Sequence, residues 1–361
     1  MSNATQQLIY LIYGTERAYH EEARFSIASA LFCQRREQKD PKENETFNIR
    51  VYTDQPEHYQ DLPVVIETLG ADQLQQFYGP HQYNHRSKLC VMQDAVTRAD
   101  KTVFIDTDTF FLRSPQHLFD AVTEQQCIAD EVEPARLSDM GPYNHPDIQA
   151  ALKQRQLDPE NIVVINSGIF GIHSSHANVL QQALELADTV YPASGREFAT
   201  EQLVLGIVAK HVANVVADDK VLKHYWSRKN IFRAKIRHFL DKFDSDLLSE
   251  VAYDDFANVT PALPRPPRFS RLWIKCRTAL VPAYKQFFTE LLYGCFRYSN
   301  EYDRSCKHAW WLKARENFLD RRQDAPSTES IARLFKQPLN QWILGNRNCS
   351  EISDFYQQSF S

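Results

Sequence analysis

Residues 101–108 read Lys101-Thr102-Val103-Phe104-Ile105-Asp106-Thr107-Asp108, a run of β-branched and aromatic residues that stops at two carboxylates. Residues of this kind without alternating polarity predict a short strand buried on both faces, as in a parallel sheet. Two acids one residue apart mean little alone, because about one Asp-x-Asp is expected by chance in a chain this long. A second pair, Asp244-Ser245-Asp246, lies in a polar helical stretch and reads as such a coincidence. Context separates the two. Asp106 and Asp108 leave the carboxyl end of a buried strand, where open α/β sheets hold ligands. Their oxygens suit Mn²⁺ or Mg²⁺, with diphosphate oxygens completing the shell. The competing reading is a strand-end turn in which the acids bond nearby backbone amides.

Outward from this stretch, short strand-like runs alternate with helical patterns through residue 217, as in a mostly parallel sheet flanked by helices. Strands are expected at 8–13, 47–53, 63–66, 101–105, 162–165, 169–172 and 213–217. Helices are expected at 21–34, 87–98, from Ser114-Pro115 onward, from a Ser175 cap to about 190, and at 201–210. The charged stretch 35–45 reads as a loop. Beyond residue 235 the strand signal fades. Four prolines within 261–267 suggest a linker, and helical patterns follow at 272–280, 284–293 and 309–320. The expected organisation is a catalytic domain over 1–235, then a linker and helical region over 236–361.

The 361 residues are 43% hydrophobic and 24% charged, which suits a folded globular chain and excludes general disorder. A net charge of −5 argues against a dedicated nucleic-acid binder. Charge is uneven, however. Residues 265–322 hold 13 Lys/Arg against 5 Asp/Glu, with Trp310-Trp311-Leu312 set among Lys307, Lys313 and Arg315. That composition suits either a helical cap packed on the catalytic domain or an interfacial helix touching the inner face of a membrane. The seven cysteines are scattered and never spaced as Cys-x-x-Cys, so free thiols in a reducing cytoplasm are expected. The first apolar run is too short to span a bilayer and has no basic residues before it, so no signal peptide is expected.

The strand ending in Asp106-Thr107-Asp108 resembles the metal-binding Asp-x-Asp of the GT-A glycosyltransferases. Residues 8–226 are similar in layout to glycogenin-like and bacterial galactosyltransferase-like members. The resemblance implies a Rossmann-like GT-A fold and a nucleotide-sugar donor, UDP-linked in such relatives. It implies nucleotide contacts at Tyr13, Gly14 and Thr15 after the first strand, at Asp54 after the second, and at Thr107. Arg86 and Lys88, opening the helix before the Asp-x-Asp strand, would face the diphosphate or donor sugar, and a helix N-terminus favours anions as well. Asn166-Ser167-Gly168 resembles the element lining the sugar pocket, where small residues permit close approach and the Asn amide bonds hydroxyls. Glu201-Gln202 resembles the pair near the reacting carbon. His224 matches the late histidine that completes the metal shell, although the glycine and the Lys-Pro pair usual around it are absent. An imidazole beside two carboxylates favours Mn²⁺ over Mg²⁺.

The implied reaction separates an anomeric carbon from a nucleoside diphosphate while a cation held by Asp106, Asp108 and His224 takes up charge. Retention of configuration is implied by the glycogenin-like comparison; inversion would need a base, for which Glu201 is the candidate. The implied acceptor is a glycan or a lipid-linked glycan. Two rivals stand beside this reading. A haloacid-dehalogenase-type phosphatase would use Asp106 as nucleophile, but Phe110 and the late position of the motif fit it poorly. The other rival is an inactive transferase-like module that binds nucleotide or scaffolds partners.

Overall fold

A computed structural model describes residues 5–38, 47–218, 220–320 and 328–360. The chain divides into two compact units, Met1–Tyr225 and Trp226–Ser361. The first unit runs β1 (Gln6–Ile12), α1 (Arg17–Glu37), β2 (Asn48–Thr53), β3 (Val65–Thr68), α2 (Ala71–Tyr78) and α3 (Arg86–Ala95). It continues with β4 (Lys101–Ile105), β5 (Thr109–Phe111), α4 (Gln116–Ala121), β6 (Gln126–Ala135), α5 (Pro146–Gln154) and β7 (Ile162–His173). It closes with α6 (Ala177–Ala193), α7 (Thr200–Val212), β8 (Asn214–Ala217) and β9 (Leu222–His224).

Seven strands form one sheet in the order β3-β2-β1-β4-β7-β6-β8, and β5 pairs with β9 in a small second sheet. Within the large sheet β7 alone runs against the others, pairing antiparallel with β4 and with β6. This is the expected α/β arrangement, a mostly parallel sheet flanked by helices, followed by a helical C-terminal region. β4 lies in the middle of the sheet, and Val103, Phe104 and Ile105 are fully buried. Each such side chain contributes about 1.5–3 kcal/mol by leaving water, so the strand that delivers Asp106 is firmly held.

Several expectations need correction. α1 continues through Arg35, Arg36 and Glu37, which shortens the expected loop; residues 39–46 lie outside the described residues. β5, β6 and β9 had no expected counterpart, since none shows a long alternating pattern. Asn166-Ser167-Gly168 is no turn between two strands but the middle of the continuous strand β7. Ser175 does not cap α6; its hydroxyl bonds the His173 ring at 2.8 Å, and the helix begins at Ala177.

The second unit is helical throughout its described residues: α8 (Lys229–Phe243), α9 (Glu250–Phe256), α10 (Arg268–Thr278), α11 (Lys285–Cys295), α12 (Glu301–Ser305), α13 (Lys307–Asp320), α14 (Thr328–Phe335), α15 (Pro338–Leu344) and α16 (Asn346–Phe360). A boundary at 235 would cut α8. The proline-rich stretch 261–267 lies inside this unit. Its backbone is tied down, with Tyr298 Oη donating to the Pro264 carbonyl at 3.0 Å and buried Lys235 Nζ to the Ala262 carbonyl at 2.8 Å. Trp310 and Trp311 are core residues, 4% and 0% exposed. They cannot reach a lipid interface, so the expectation of an interfacial α13 fails. Gly294 makes room for Trp311: a Cβ there would fall 2.6 Å from the indole nitrogen. No helix among the described residues is long and apolar enough to cross a membrane.

Candidate metal centre

Asp106 leaves β4 with its backbone N–H donating to the Gly168 carbonyl on β7 at 2.8 Å. Thr109 Oγ1 returns a bond to the Asp106 carbonyl at 2.8 Å, closing a bend that carries Thr107 and Asp108. β5 then starts under α1, where Ser29 Oγ accepts from the Phe111 N–H at 2.8 Å and Ser26 Oγ lies 3.1 Å from Thr109 Oγ1. Thr109 faces His224 across the β5–β9 pair, and the Tyr225 N–H donates to the Asp108 carbonyl at 3.0 Å. Asp108 and His224, 116 positions apart in sequence, are thus held side by side by strand pairing.

The result is a cluster in which Asp106, Asp108 and His224 each present a ligand atom within 4.8 Å of the others. His224 Nε2 lies 3.5 Å from Asp108 Oδ1, while its Nδ1 lies 2.6 Å from Asp130 Oδ2. Burial opposes charge on this imidazole, but bonds to Asp108 and Asp130 outweigh it and lift its pKa to about 9. Two carboxylates and an imidazole whose far nitrogen is already anchored form a donor set that fits a divalent cation.

Asp130 is the residue that sequence reasoning missed. It sits at a β-bulge: between the pairs Ala129↔Phe170 and Glu131↔Asn166, β6 has one residue where β7 has three. Bulges re-aim side chains, and this one leaves Asp130 bonded to His224. The available signal was Cys127-Ile128-Ala129-Asp130, an apolar run ending in an acid just as 102–106 does. The same bulge gives Gly168 its purpose. A Cβ there would stand 2.3 Å from His224 Cε1, so the close approach it permits is that of the imidazole.

The other expected residues distribute unevenly. Lys88 Nζ is 2.8 Å from the Asp106 carboxylate. Burial works against its charge, yet Asp106 and Glu201 hold its pKa above the usual lysine value. Arg86 is engaged elsewhere: its guanidinium forks onto Asp188 at 2.7 and 3.0 Å. Glu201, 1% exposed at the start of α7, has its pKa raised by burial against the pull of Lys88 and the Ser167 hydroxyl. Its N–H donates to Tyr83 Oη at 2.9 Å. Gln202 follows it, half-buried. Asn166 Oδ1 accepts from the Gly168 N–H at 3.0 Å, so the amide braces the bulge.

At the end of β1, Gly14 adopts φ +86°, which glycine takes without strain, and its N–H donates to Asp54 Oδ1 at 3.0 Å. Tyr13 is half-buried beside Tyr78, with ring centroids 6.1 Å apart, and Thr15 is exposed. β1 and β2 run parallel as neighbours, so Tyr13, Gly14, Thr15 and Asp54 share one end of the sheet.

No protein-family model matches the chain, and no curated protein does. Among solved structures, the apo form of mouse xyloside xylosyltransferase 1 is similar over 59% of this chain and 85% of its own, at 14% identity and a TM-score of 0.38. A likeness that distant carries no argument about activity or ligands.

Proposed function

We propose that this protein is a glycosyltransferase that draws on a nucleoside-diphosphate sugar, UDP-linked by preference, with a divalent cation held by Asp106, Asp108 and His224. The observation that carries the proposal is the convergence of these three side chains, with ligand atoms within 4.8 Å of one another at the carboxyl end of a buried parallel strand. When bound, the cation would take up negative charge gathering on the departing diphosphate.

The chain's own residues supply the rest of the proposed site. Tyr13, Gly14, Thr15 and Asp54 hold the nucleoside, with Thr107 at the bend beside the diphosphate. Lys88 adds a half-buried positive charge next to Asp106. Arg86 is given no direct part, because Asp188 already occupies its fork. Gln202 and Asn166 contribute amides toward the sugar. Glu201, a buried carboxyl at the start of α7, lies beside the reacting carbon in a retaining reaction, the outcome proposed here. A glycan or a lipid-linked glycan is the proposed acceptor, and seven unpaired cysteines support a cytoplasmic setting.

The test is a donor-hydrolysis screen over UDP-, GDP- and other activated sugars, with and without Mn²⁺, comparing wild type with Asp108→Ala. Cation-dependent release of sugar from one donor, slower by about 10²-fold or more in the variant, is expected. A melting shift with nucleoside diphosphates but no turnover of any donor would instead identify an inactive binding module. Indifference to both cations and activated sugars would end the proposal.

A further inference from the structure

In the second unit α10 and α15 bring several exposed apolar side chains together. Phe269 is 87% exposed, Leu272 60% and Trp273 61% on α10, and Trp342 on α15 is 54% exposed. At 100° per residue, Leu272, Cys276, Phe269 and Trp273 fall within an arc of about 100° on α10. Ile274 and Thr278, buried, occupy the opposite side. α10 therefore buries one side and leaves an apolar arc exposed on the other.

Charge borders the free face. Arg268 and Lys275 flank the apolar arc on one side and Arg277 on the other, by the same helical geometry. From Phe256 to Thr289 the chain contains six Lys/Arg and no Asp or Glu. The Arg277 guanidinium lies 4.9 Å from the Trp342 ring centroid and 5.9 Å from that of Trp273, so one cation is shared by two indoles from different helices. Its donation to the Trp342 carbonyl ties α10 to α15.

We infer that α10, with Trp342 of α15, is a surface that seats this protein on an anionic lipid bilayer, with the Phe269, Leu272 and Trp273 side chains entering the headgroup boundary. An apolar stripe bordered by cations and free of acids matches a negatively charged interface on both counts. Tryptophans at the rim suit the depth where polar and apolar regions meet. The inference stands on the second unit alone and is independent of the catalytic reading.

The test uses the full chain in vesicle flotation, comparing phosphatidylcholine with the same lipid carrying about 30 mol % phosphatidylglycerol. The wild type is expected to float with the anionic vesicles, to show a blue shift in tryptophan emission, and to be released as salt rises toward about 0.5 M. Phe269→Ser/Leu272→Ser, both at exposed positions, should keep the wild-type melting temperature and lose binding by about tenfold or more. Arg268→Glu/Lys275→Glu should abolish the preference for anionic vesicles, and Val251→Ser, on an exposed part of α9, should leave binding unchanged. Absence of flotation at low salt would overturn the inference, as would wild-type binding by either double variant. So would a concentration-dependent dimer that the Phe269→Ser/Leu272→Ser change dissolves while no vesicle binding is seen, for the face would then belong to a second copy.

Discussion

His224 is held between two carboxylates, with Nδ1 2.6 Å from Asp130 Oδ2 and Nε2 3.5 Å from Asp108 Oδ1. An ionised carboxylate only accepts, so Asp130 keeps the Nδ1 proton in place and leaves Nε2 as the nitrogen that faces a cation. Asp130→Asn preserves shape and removes that preference. Mn²⁺ affinity should fall by about 10–100-fold with little change in melting temperature, as read by titration calorimetry. An unchanged affinity would show that Asp130 serves only packing.

Lys88 presents the opposite case, a cation already beside the site. Its ammonium neutralises Asp106 and lies near Glu201, both partly or fully withdrawn from water. Lys88→Met leaves these carboxylates facing each other and should destabilise the protein toward the lower end of about 3–5 kcal/mol, since Asp106 keeps some exposure. Mn²⁺ supplies the missing positive charge, so it should raise the melting temperature of this variant more than that of the wild type. Equal shifts in both proteins would argue that Lys88 and the cation do not share a field.

Gly168 tests the geometry from the other strand. Alanine there places a Cβ 2.3 Å from His224 Cε1, a distance no real contact has, so the ring must leave. Gly168→Ala should cost about 1–3 kcal/mol and remove cation binding together with activity, as followed by denaturant titration and thermal shift with Mn²⁺. Retained binding would mean that the imidazole can be moved without loss.

How much of this was readable beforehand depended on locality. The strand at 101–105 and its two acids were legible because five consecutive residues carry the pattern and the chemistry follows at once. β6 was not: in its exposed half, residues 131–135, the alternation of acid and apolar residues is too brief to count and is broken by Pro134. Asp130 depends on a register shift between β6 and β7, which is a property of two strands and is written in neither. Asn166-Ser167-Gly168 has turn composition, yet its small residues answer to a ring from β9. The Trp310-Trp311 pair and the Phe269–Trp273 stretch look alike in composition. Which of them faces water is decided by packing: Trp311 fills the space above Gly294, whereas Phe269 and Trp273 stay largely exposed.

Acid stability should report on a pair that is not part of the metal centre. The Arg24 guanidinium forks onto Asp61 at 2.7 and 2.8 Å, and that bond holds the carboxyl below its ordinary value. A pKa depressed in the folded state contributes stability above the unfolded value of 3.8, and the contribution is lost as pH falls through the folded one. Asp61→Asn should therefore lower the melting temperature near neutral pH and flatten its decline below about pH 4. A decline parallel to that of the wild type would assign the acid limb to other carboxylates.

Thiol chemistry distinguishes Cys276 from the other six cysteines and reaches back to the lipid-facing surface. Burial pushes the thiols of Cys33, Cys127 and Cys306 up to about 12, and each is closed off from water. Cys90 and Cys295, half-buried, are raised to about 11 and about 12, and burial also raises Cys349. Only the thiolate attacks, so none of these six should react quickly near pH 8 in the folded protein. Cys276 is exposed on the same arc of α10 as Leu272 and Phe269. An aromatic disulfide reagent should therefore report one fast thiol in the native state and seven after denaturation. Anionic vesicles should slow the fast reaction and neutral vesicles should not, because a helix face pressed into headgroups takes Cys276 out of water with it. Labelling at an unchanged rate on vesicles that carry the protein would place its contact with lipid on some other surface.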